Sequence, residues 1–159
     1  MPDLTFHPEK ITFSAPAFLY LEKTGPFMTQ APLAWSEFHT LAASLFGGKS
    51  VIGGAGASRL QTVAGGNLLP VYQAGLLLRE PPSTVPDGLI VRTLPDAVFA
   101  RFLLKGSYSQ LPAAYPEAFR TIAERGWQLR DDFCFERYLN DVMKTPEADL
   151  ETEILLPVA

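Results

Sequence analysis

The chain has 159 residues, of which 47% are hydrophobic and 19% charged, a size and composition that suit one domain or two fused half-size units around a substantial core. The formal net charge is −4 and no run of Lys or Arg occurs, which argues against a nucleic-acid partner because phosphates are bound by clustered basic side chains. The single Cys excludes an intramolecular disulfide, the first residues lack the pattern of a signal peptide, and no apolar run reaches the ~18 residues of a membrane span, so we predict a cytoplasmic protein without membrane contact.

The first half of the chain predicts two short strands, a helix and two more strands. Apolar residues at helical spacing from Trp35 to Leu45 indicate the helix, and residues 46–50 (FGGKS), at the start of a glycine-rich run that ends at Gly56, are interpreted as a flexible exit from it. The first two strands are separated by a break at Ser14-Ala15-Pro16. The predicted bounds are 11–13 and 18–23 for these strands, 29–46 for the helix, and 58–64 and 71–78 for the later strands.

The pattern restarts after a Pro-rich link at residues 81–88, which is the best internal boundary in the chain. Strands are predicted at 89–93 and 98–104, again with a break, here at Pro95-Asp96. A helix follows at 111–125, with Gly126 as its stop, and the chain closes with strands at 133–139 and 152–156.

The two halves align with an offset of 81 residues. The matched pairs are Gly25 with Gly106, Phe27 with Tyr108, Phe38 with Phe119, and Leu41 with Ile122. Neither half alone can bury both a sheet face and a helix, so the halves are expected to share one core. The predicted fold is α+β: two βαββ units, at about 1–80 and 87–159, form one domain with a twisted, mostly antiparallel sheet. Both helices cover one side, and a ligand groove lies on the other side, where the halves meet.

The strand at 133–139 carries an acidic residue among apolar neighbours. Side chains alternate across a strand, so Glu136 shares a face with Cys134 and Tyr138, while Phe135 lies on the opposite face. A carboxylate in this company is either solvated at a sheet edge or held on a concave, partly dry surface. The repeat predicts that the face with Glu136 and Tyr138 points into the groove.

The C-terminal residues carry a resemblance to a known family. The run Glu136-Arg137-Tyr138-Leu139-Asn140-Asp141, then Thr145-Pro146-Glu147, then 150–158 (LETEILLPV) resembles the closing signature of gyrase-inhibitor-like domains, also known as effector-binding domains of bacterial transcription activators. The turns at Gly25 and Gly106 and the duplicated layout are similar too; Val142 departs from the family, which usually has Pro there. Many relatives carry a DNA-binding domain before the first strand, whereas this chain begins directly with that strand and is expected to be a stand-alone member that does not bind DNA directly.

The resemblance implies that Glu136 lies on the floor of the groove and pairs with lipophilic cations. We therefore predict binding of hydrophobic small molecules, with cations as the favoured class, and Tyr138 as the first aromatic contact. The other candidate ligand-binding residues are Tyr72, Tyr108, Trp127 and Tyr20, whereas Trp35 and Tyr115, at helical spacing, are assigned to the core. No cluster of His, Cys or carboxylates has the spacing of metal ligands, so neither a metal nor a cofactor is expected.

Two other functions remain open on the sequence. Some relatives of this fold hydrolyse reactive cyclopropane compounds, which implies that Glu136 can act as a general base with a Tyr hydroxyl such as that of Tyr138 as donor. A third function is that of a protein-interaction module whose partner is a separate regulator or gyrase. We expect a binding protein rather than an enzyme.

Overall fold

The structure, a computed structural model, describes residues 2–5 and 7–159 of the chain. It contains α-helices and antiparallel strands, which confirms the predicted α+β class. The described elements are β1 (Glu9–Thr24), α1 (Phe27–Leu41), β2 (Val51–Thr62), β3 (Leu68–Leu78), β4 (Ile90–Lys105), α2 (Leu111–Glu124), β5 (Cys134–Tyr138) and β6 (Glu151–Pro157). Neither helix in this part of the chain has the length and apolar character needed to cross a membrane.

The chain divides into two compact units, each of which is described by itself. The N-unit comprises residues 14–96, and the C-unit comprises residues 2–5, 7–13 and 97–159. Strands β1 and β4 therefore have residues in both units. The Pro-rich link at 81–88 lies inside the N-unit, and the predicted half-repeats on either side of it, like the groove, stay predictions.

The N-unit is a three-stranded antiparallel sheet with one helix. Its strand order is β1-β3-β2, with Leu21 opposite Ala74 and Ala74 opposite Gly56. Helix α1 buries Ala34 and Phe38 against the sheet, and the residue that follows its last turn, Ala42, continues the same four-residue spacing. This spacing aligns a single stripe along the helix, and burial of that stripe is what holds α1 in place.

The C-unit repeats this arrangement in the order β4-β6-β5, also antiparallel. Helix α2 buries Ala114, Ala118 and Ile122, again at every fourth position. The helix ends where Gly126 takes a positive φ of 69° and the amide of Trp127 donates to the carbonyl of Ile122. This termination satisfies carbonyls that the last helical turn leaves open, and it confirms the predicted stop at Gly126.

The structural repeat has an offset of 80 rather than 81 over the helices and the two strands that follow each of them. The buried residues Ala34, Phe38 and Ala42 correspond to Ala114, Ala118 and Ile122. The alignment of Phe38 with Phe119 was wrong by one residue: Phe38 is buried, whereas Phe119 is 38% exposed. An error of one residue rotates every helical match by about 100°, which moves a core residue towards solvent.

Two predicted strand breaks were also wrong. Strand β1 continues through Pro16, and β4 continues through Pro95. Proline lacks an amide proton, but the pairing of β1 with β3 begins only at Ala17 and that of β4 with β6 only at Phe99, so neither proline removes a hydrogen bond from these ladders.

Part of the glycine-rich run belongs to a strand that was predicted to begin only at residue 58. Helix α1 ends at Leu41, and residues from Val51 onward belong to β2. Gly53, Gly54 and Gly56 pair with β3 along its length. Pairing with a neighbouring strand overrides the weak strand preference of glycine, so composition alone was misleading here.

Candidate functional site

Glu136 lies in the middle of β5, on the sheet face that α2 covers. Its partner across the ladder is Ile154, which packs in one cluster with Ala114, Ala118 and Ile122 of the helix. Opposed residues of an antiparallel pair point to the same side of the sheet. The predicted alternation of Glu136 with Phe135 is therefore correct, but the expectation that Glu136 points away from the helices is wrong for α2.

Both oxygens of the Glu136 carboxylate accept hydrogen bonds from tyrosine. The hydroxyl of Tyr115, on α2, donates to Oε2 at 2.5 Å, and the hydroxyl of Tyr138, two residues along β5, donates to Oε1 at 2.7 Å. Within residues 2–5 and 7–159, no Lys or Arg forms an ion pair with this carboxylate. Two neutral tyrosine hydroxyls thus donate hydrogen bonds to this carboxyl group.

Aromatic rings extend from this centre. The ring centroids of Tyr108 and Tyr138 lie 5.4 Å apart, and those of Tyr115 and Phe119 lie 6.4 Å apart. Tyr108 precedes α2 in a short helical turn that follows Gly106, whose positive φ of 106° reverses the chain after β4. We use the name tyrosine cluster for Glu136 with Tyr108, Tyr115 and Tyr138.

Burial and acidic neighbours set the electrostatics of the tyrosine cluster. Burial raises the pKa of Glu136, and the hydrogen bonds from Tyr115 and Tyr138 oppose this effect by stabilising the carboxylate. The pKa of Tyr108 is raised by burial first, then by the charges of Asp141 and Glu136. Burial, followed by Glu136 and Asp132, raises the pKa of Cys134 to about 12, so this thiol is unreactive near neutral pH.

Another carboxylate in the C-unit, more deeply buried than the half-buried Glu136, has the opposite environment. Glu153, on the other face of the sheet, is 6% exposed and forms ion pairs with Arg101 and Arg137. Arg101 also lies 3.5 Å from the carboxylate of Glu9. The same unit thus gives one buried acid two arginines and leaves Glu136 with tyrosines alone, and this contrast distinguishes a structural carboxylate from a candidate binding group.

Three predicted site residues lie elsewhere. In the C-unit, Trp127 follows α2, with Lys10 Nζ 5.1 Å and Arg125 Cζ 5.4 Å from its ring centroid. In the N-unit, Tyr20 and Tyr72 are both buried: Tyr20 stacks on Phe18, and the hydroxyl of Tyr72 accepts a hydrogen bond of 2.8 Å from Trp35 Nε1. The role of these three residues in binding a ligand stays a prediction.

Tyr115 was missed by sequence reasoning because its spacing with Phe119 and Ile122 placed it in the core. The buried stripe of α2 runs instead through Ala114, Ala118 and Ile122, which leaves Tyr115 on the flank of the helix, where it reaches β5. The regular spacing of small residues was the available signal, since alanines every four residues allow close helix–sheet packing and push larger neighbours to the side.

The repeat gives each residue of the tyrosine cluster a counterpart in the N-unit. At an offset of 80, Tyr115 corresponds to Trp35, and both are helix residues that donate a hydrogen bond to a strand residue. Glu136 corresponds to Gly56, which is buried opposite Ala74 in the same way that Glu136 lies opposite Ile154. The N-unit therefore has no acidic group at the matched position.

Comparisons with known proteins place this geometry in a family. A model of the GyrI-like small molecule binding domain matches residues 7–159. Among solved structures, the chain is similar to the C-terminal domain of EcmrR (16% identity, 96% of this chain and 98% of that one, TM-score 0.65). It is also similar to SAV2435 bound to tetraphenylphosphonium (15% identity, 96% and 94%, TM-score 0.72). A third similar structure is an integron cassette protein from Vibrio cholerae (12% identity, 96% and 95%, TM-score 0.70).

None of the curated proteins matches the chain. The identities to the solved structures are low enough that these likenesses concern the fold alone, whereas the family model covers almost the whole sequence. The chain belongs to the GyrI-like small molecule binding domain family.

Proposed function

We propose that the protein binds hydrophobic organic cations and that Glu136 is the anionic group that holds them. The observation that carries this proposal is the carboxylate with two tyrosine donors and no cationic partner among the described residues. SAV2435, a protein of similar fold, is bound to such a cation, tetraphenylphosphonium.

The energetics favour a cation with low hydration. Withdrawing a carboxylate from water costs several kcal/mol unless an opposite charge or strong hydrogen bonds compensate it. Two tyrosine hydroxyls compensate part of this cost at Glu136, but they bring no positive charge. A delocalised organic cation provides the missing charge, and it loses little hydration when it leaves water.

The rings of the tyrosine cluster supply the apolar contact. A desolvated cation over an aromatic face gains about 1–2 kcal/mol, and Tyr108, Tyr115 and Tyr138 are the three aromatic rings proposed to make such contacts near Glu136. Tyr20, Tyr72 and Trp127 are proposed as further contacts of lower rank.

The test is a titration of tetraphenylphosphonium into the wild-type protein and the variant Glu136→Gln. Glutamine keeps the size of the side chain and one acceptor oxygen but removes the charge. We expect the dissociation constant to rise by about 10- to 100-fold, which corresponds to the loss of one partly buried charge pair. Equal dissociation constants for the two proteins would refute the electrostatic role.

The matched control is Glu147→Gln, which removes the same charge from an exposed residue of the C-unit. This variant should bind the cation within about twofold of the wild type, because exposed charges are screened by solvent and salt. If both variants weaken binding equally, the effect belongs to net charge and not to Glu136.

Hydrolysis of a reactive electrophile is the second candidate, and the contact of two tyrosine hydroxyls with Glu136 is the observation that favours it. A carboxylate of raised pKa can accept a proton from water as the water oxygen bonds to a ring carbon and the ring C–C bond breaks, while a tyrosine hydroxyl donates a proton to the group that takes up the electron pair of that bond. Incubation with a cyclopropane electrophile, followed by mass detection of the ring-opened product, separates the two functions: tight binding without product identifies a binding protein. A separate regulator or gyrase as protein partner stays a prediction.

A further inference from the structure

Protonation of Glu136 changes both the charge and the hydrogen-bonding character of the group formed by Glu136, Tyr115 and Tyr138. When Glu136 is ionised, Tyr115 and Tyr138 each donate to one of its oxygens, and the carboxylate only accepts. When Glu136 is protonated, the carboxyl becomes a donor itself. The group is then uncharged and holds three O–H donors in place of two.

We propose that Glu136, Tyr115 and Tyr138 form a proton-controlled selector, which binds cations when Glu136 is ionised and neutral hydrogen-bond acceptors when Glu136 is protonated. The second ligand class comprises uncharged aromatic compounds with a strong acceptor oxygen, such as phosphine oxides, ketones and amides. This inference rests on the proposed function, because it assigns a second ligand class to the same site.

The surroundings of the Glu136 carboxyl favour a change between the ionised and the protonated state. The face of α2 that packs on the sheet is apolar apart from Tyr115, and the neighbouring β6 contributes Ile154. The titratable groups of the C-unit that contact or interact with Glu136 are the hydroxyls of Tyr115, Tyr138 and Tyr108 and the thiol of Cys134, all neutral near pH 7. Arg137 and Arg101 pair with Glu153 on the opposite face of the sheet.

Burial raises the pKa of Glu136, and the hydrogen bonds from Tyr115 and Tyr138 oppose this effect only in part. The pH at which the protein changes from one ligand class to the other therefore lies above the usual carboxyl range. The protonated state is therefore reached at milder acidity than for a carboxyl in water.

Two probes of similar shape and fixed charge test the proposal in the wild-type protein. Tetraphenylphosphonium is a permanent cation, and triphenylphosphine oxide is a neutral acceptor with three of the same rings. Neither titrates between pH 8 and 5, so any pH dependence belongs to the protein. We expect affinity for the cation to fall by about tenfold per pH unit below the pKa of Glu136, as for any ligand linked to the loss of one proton.

The neutral probe should show the opposite trend with the same midpoint: its affinity should rise as the pH falls. In Glu136→Gln both profiles should be flat, because glutamine does not titrate, and the control Glu147→Gln should keep both trends. An oxide profile that is flat, or that falls in parallel with that of the cation, would overturn the selector.

The two proposals fail in different ways. If Glu136→Gln leaves binding of tetraphenylphosphonium unchanged at pH 8, the proposed function itself is wrong. If that binding weakens but the oxide profile of the wild type does not rise in acid, only the selector is wrong. The pH profiles of the wild type need no variant, so a variant that folds poorly does not prevent the decision.

Discussion

At the scale of single residues, ionisation of Glu136 lowers the free energy of unfolding of the ligand-free protein. A carboxyl whose pKa is higher in the folded than in the unfolded chain binds its proton more tightly when folded. The free energy of unfolding therefore rises as the pH falls from the raised pKa of Glu136 to the usual carboxyl value, and it decreases in the same window as the pH rises. At a pH above this raised pKa, the residue is ionised and destabilises the fold.

It follows that Glu136→Gln should stabilise the empty protein at pH 7, by on the order of 1 kcal/mol, while it weakens binding of the cation. Glutamine accepts from one tyrosine and can donate to the other, without a charge. Urea denaturation of both proteins at pH 7 measures the difference. The stabilisation should disappear in acid, where the wild type is also neutral at this residue; a variant that is less stable at pH 7 would contradict the proposed desolvation.

The two tyrosines should control the proton on Glu136. Each hydrogen bond stabilises the carboxylate, so Tyr115→Phe and Tyr138→Phe should each raise the pKa of Glu136 further, with the larger effect from Tyr115. The midpoint at which affinity for tetraphenylphosphonium declines should move to higher pH in both variants. In the Glu136→Gln background neither substitution should alter the pH profile, and a shift that persists there would assign the effect to another group.

Residues also show where sequence reasoning succeeded. The alternation of residues 133–139 placed Glu136 and Tyr138 on one face, and the structure joins them by a hydrogen bond. The contact with Tyr115 could not be predicted in this way, because it depends on which flank of α2 approaches β5. A helical period read over few turns has an uncertainty of about one residue, and one residue was enough to assign Tyr115 to the core.

At the scale of elements, helix α2 was predicted almost to the residue, because a Pro near its start and a Gly past its end mark both limits in the sequence. The bounds of β1, β2 and β4 were not, because partner strands determine them. Proline and glycine within these strands read as breaks, yet Pro16, Pro95, Gly53 and Gly54 all lie inside strands. The strand propensity of a short segment does not predict the hydrogen bonds that the segment forms with residues distant in sequence.

Substitution of Gly75, within β3, tests how closely β3 packs against its partner strand β1. A Cβ at this residue would lie 2.1 Å from the carbonyl oxygen of Leu19 and 2.8 Å from the ring of Phe18. Gly75→Ala should therefore cost more than about 3 kcal/mol of unfolding free energy, since strand β1 must shift to admit the methyl group. Urea denaturation provides the measurement.

The matched control for this substitution is Gly126→Ala, at the end of α2. This glycine has a φ of 69° and no neighbouring atoms within 4 Å of an added Cβ, so only the backbone conformation opposes the change. The expected cost is about 1 kcal/mol. If the two substitutions cost the same, the packing at Gly75 is looser than the distances indicate.

At the scale of the whole molecule, the chain consists of two units that have the same topology but different side chains at matched positions. Both units place a helix over three antiparallel strands in the order first, third, second, and both bury every fourth residue of that helix. This duplication was visible in the sequence from the turns at Gly25 and Gly106, although the offset over the helices was in error by one residue.

The buried Gly56, at the position that matches Glu136, has a consequence for the dose response of the protein. If Glu136 holds the cation as proposed, the two units together offer one such anionic position, because the matched residue of the N-unit is Gly56. Occupancy is then expected to follow a simple hyperbola, without cooperativity arising inside the chain. A threshold in occupancy would have to come from assembly with other molecules.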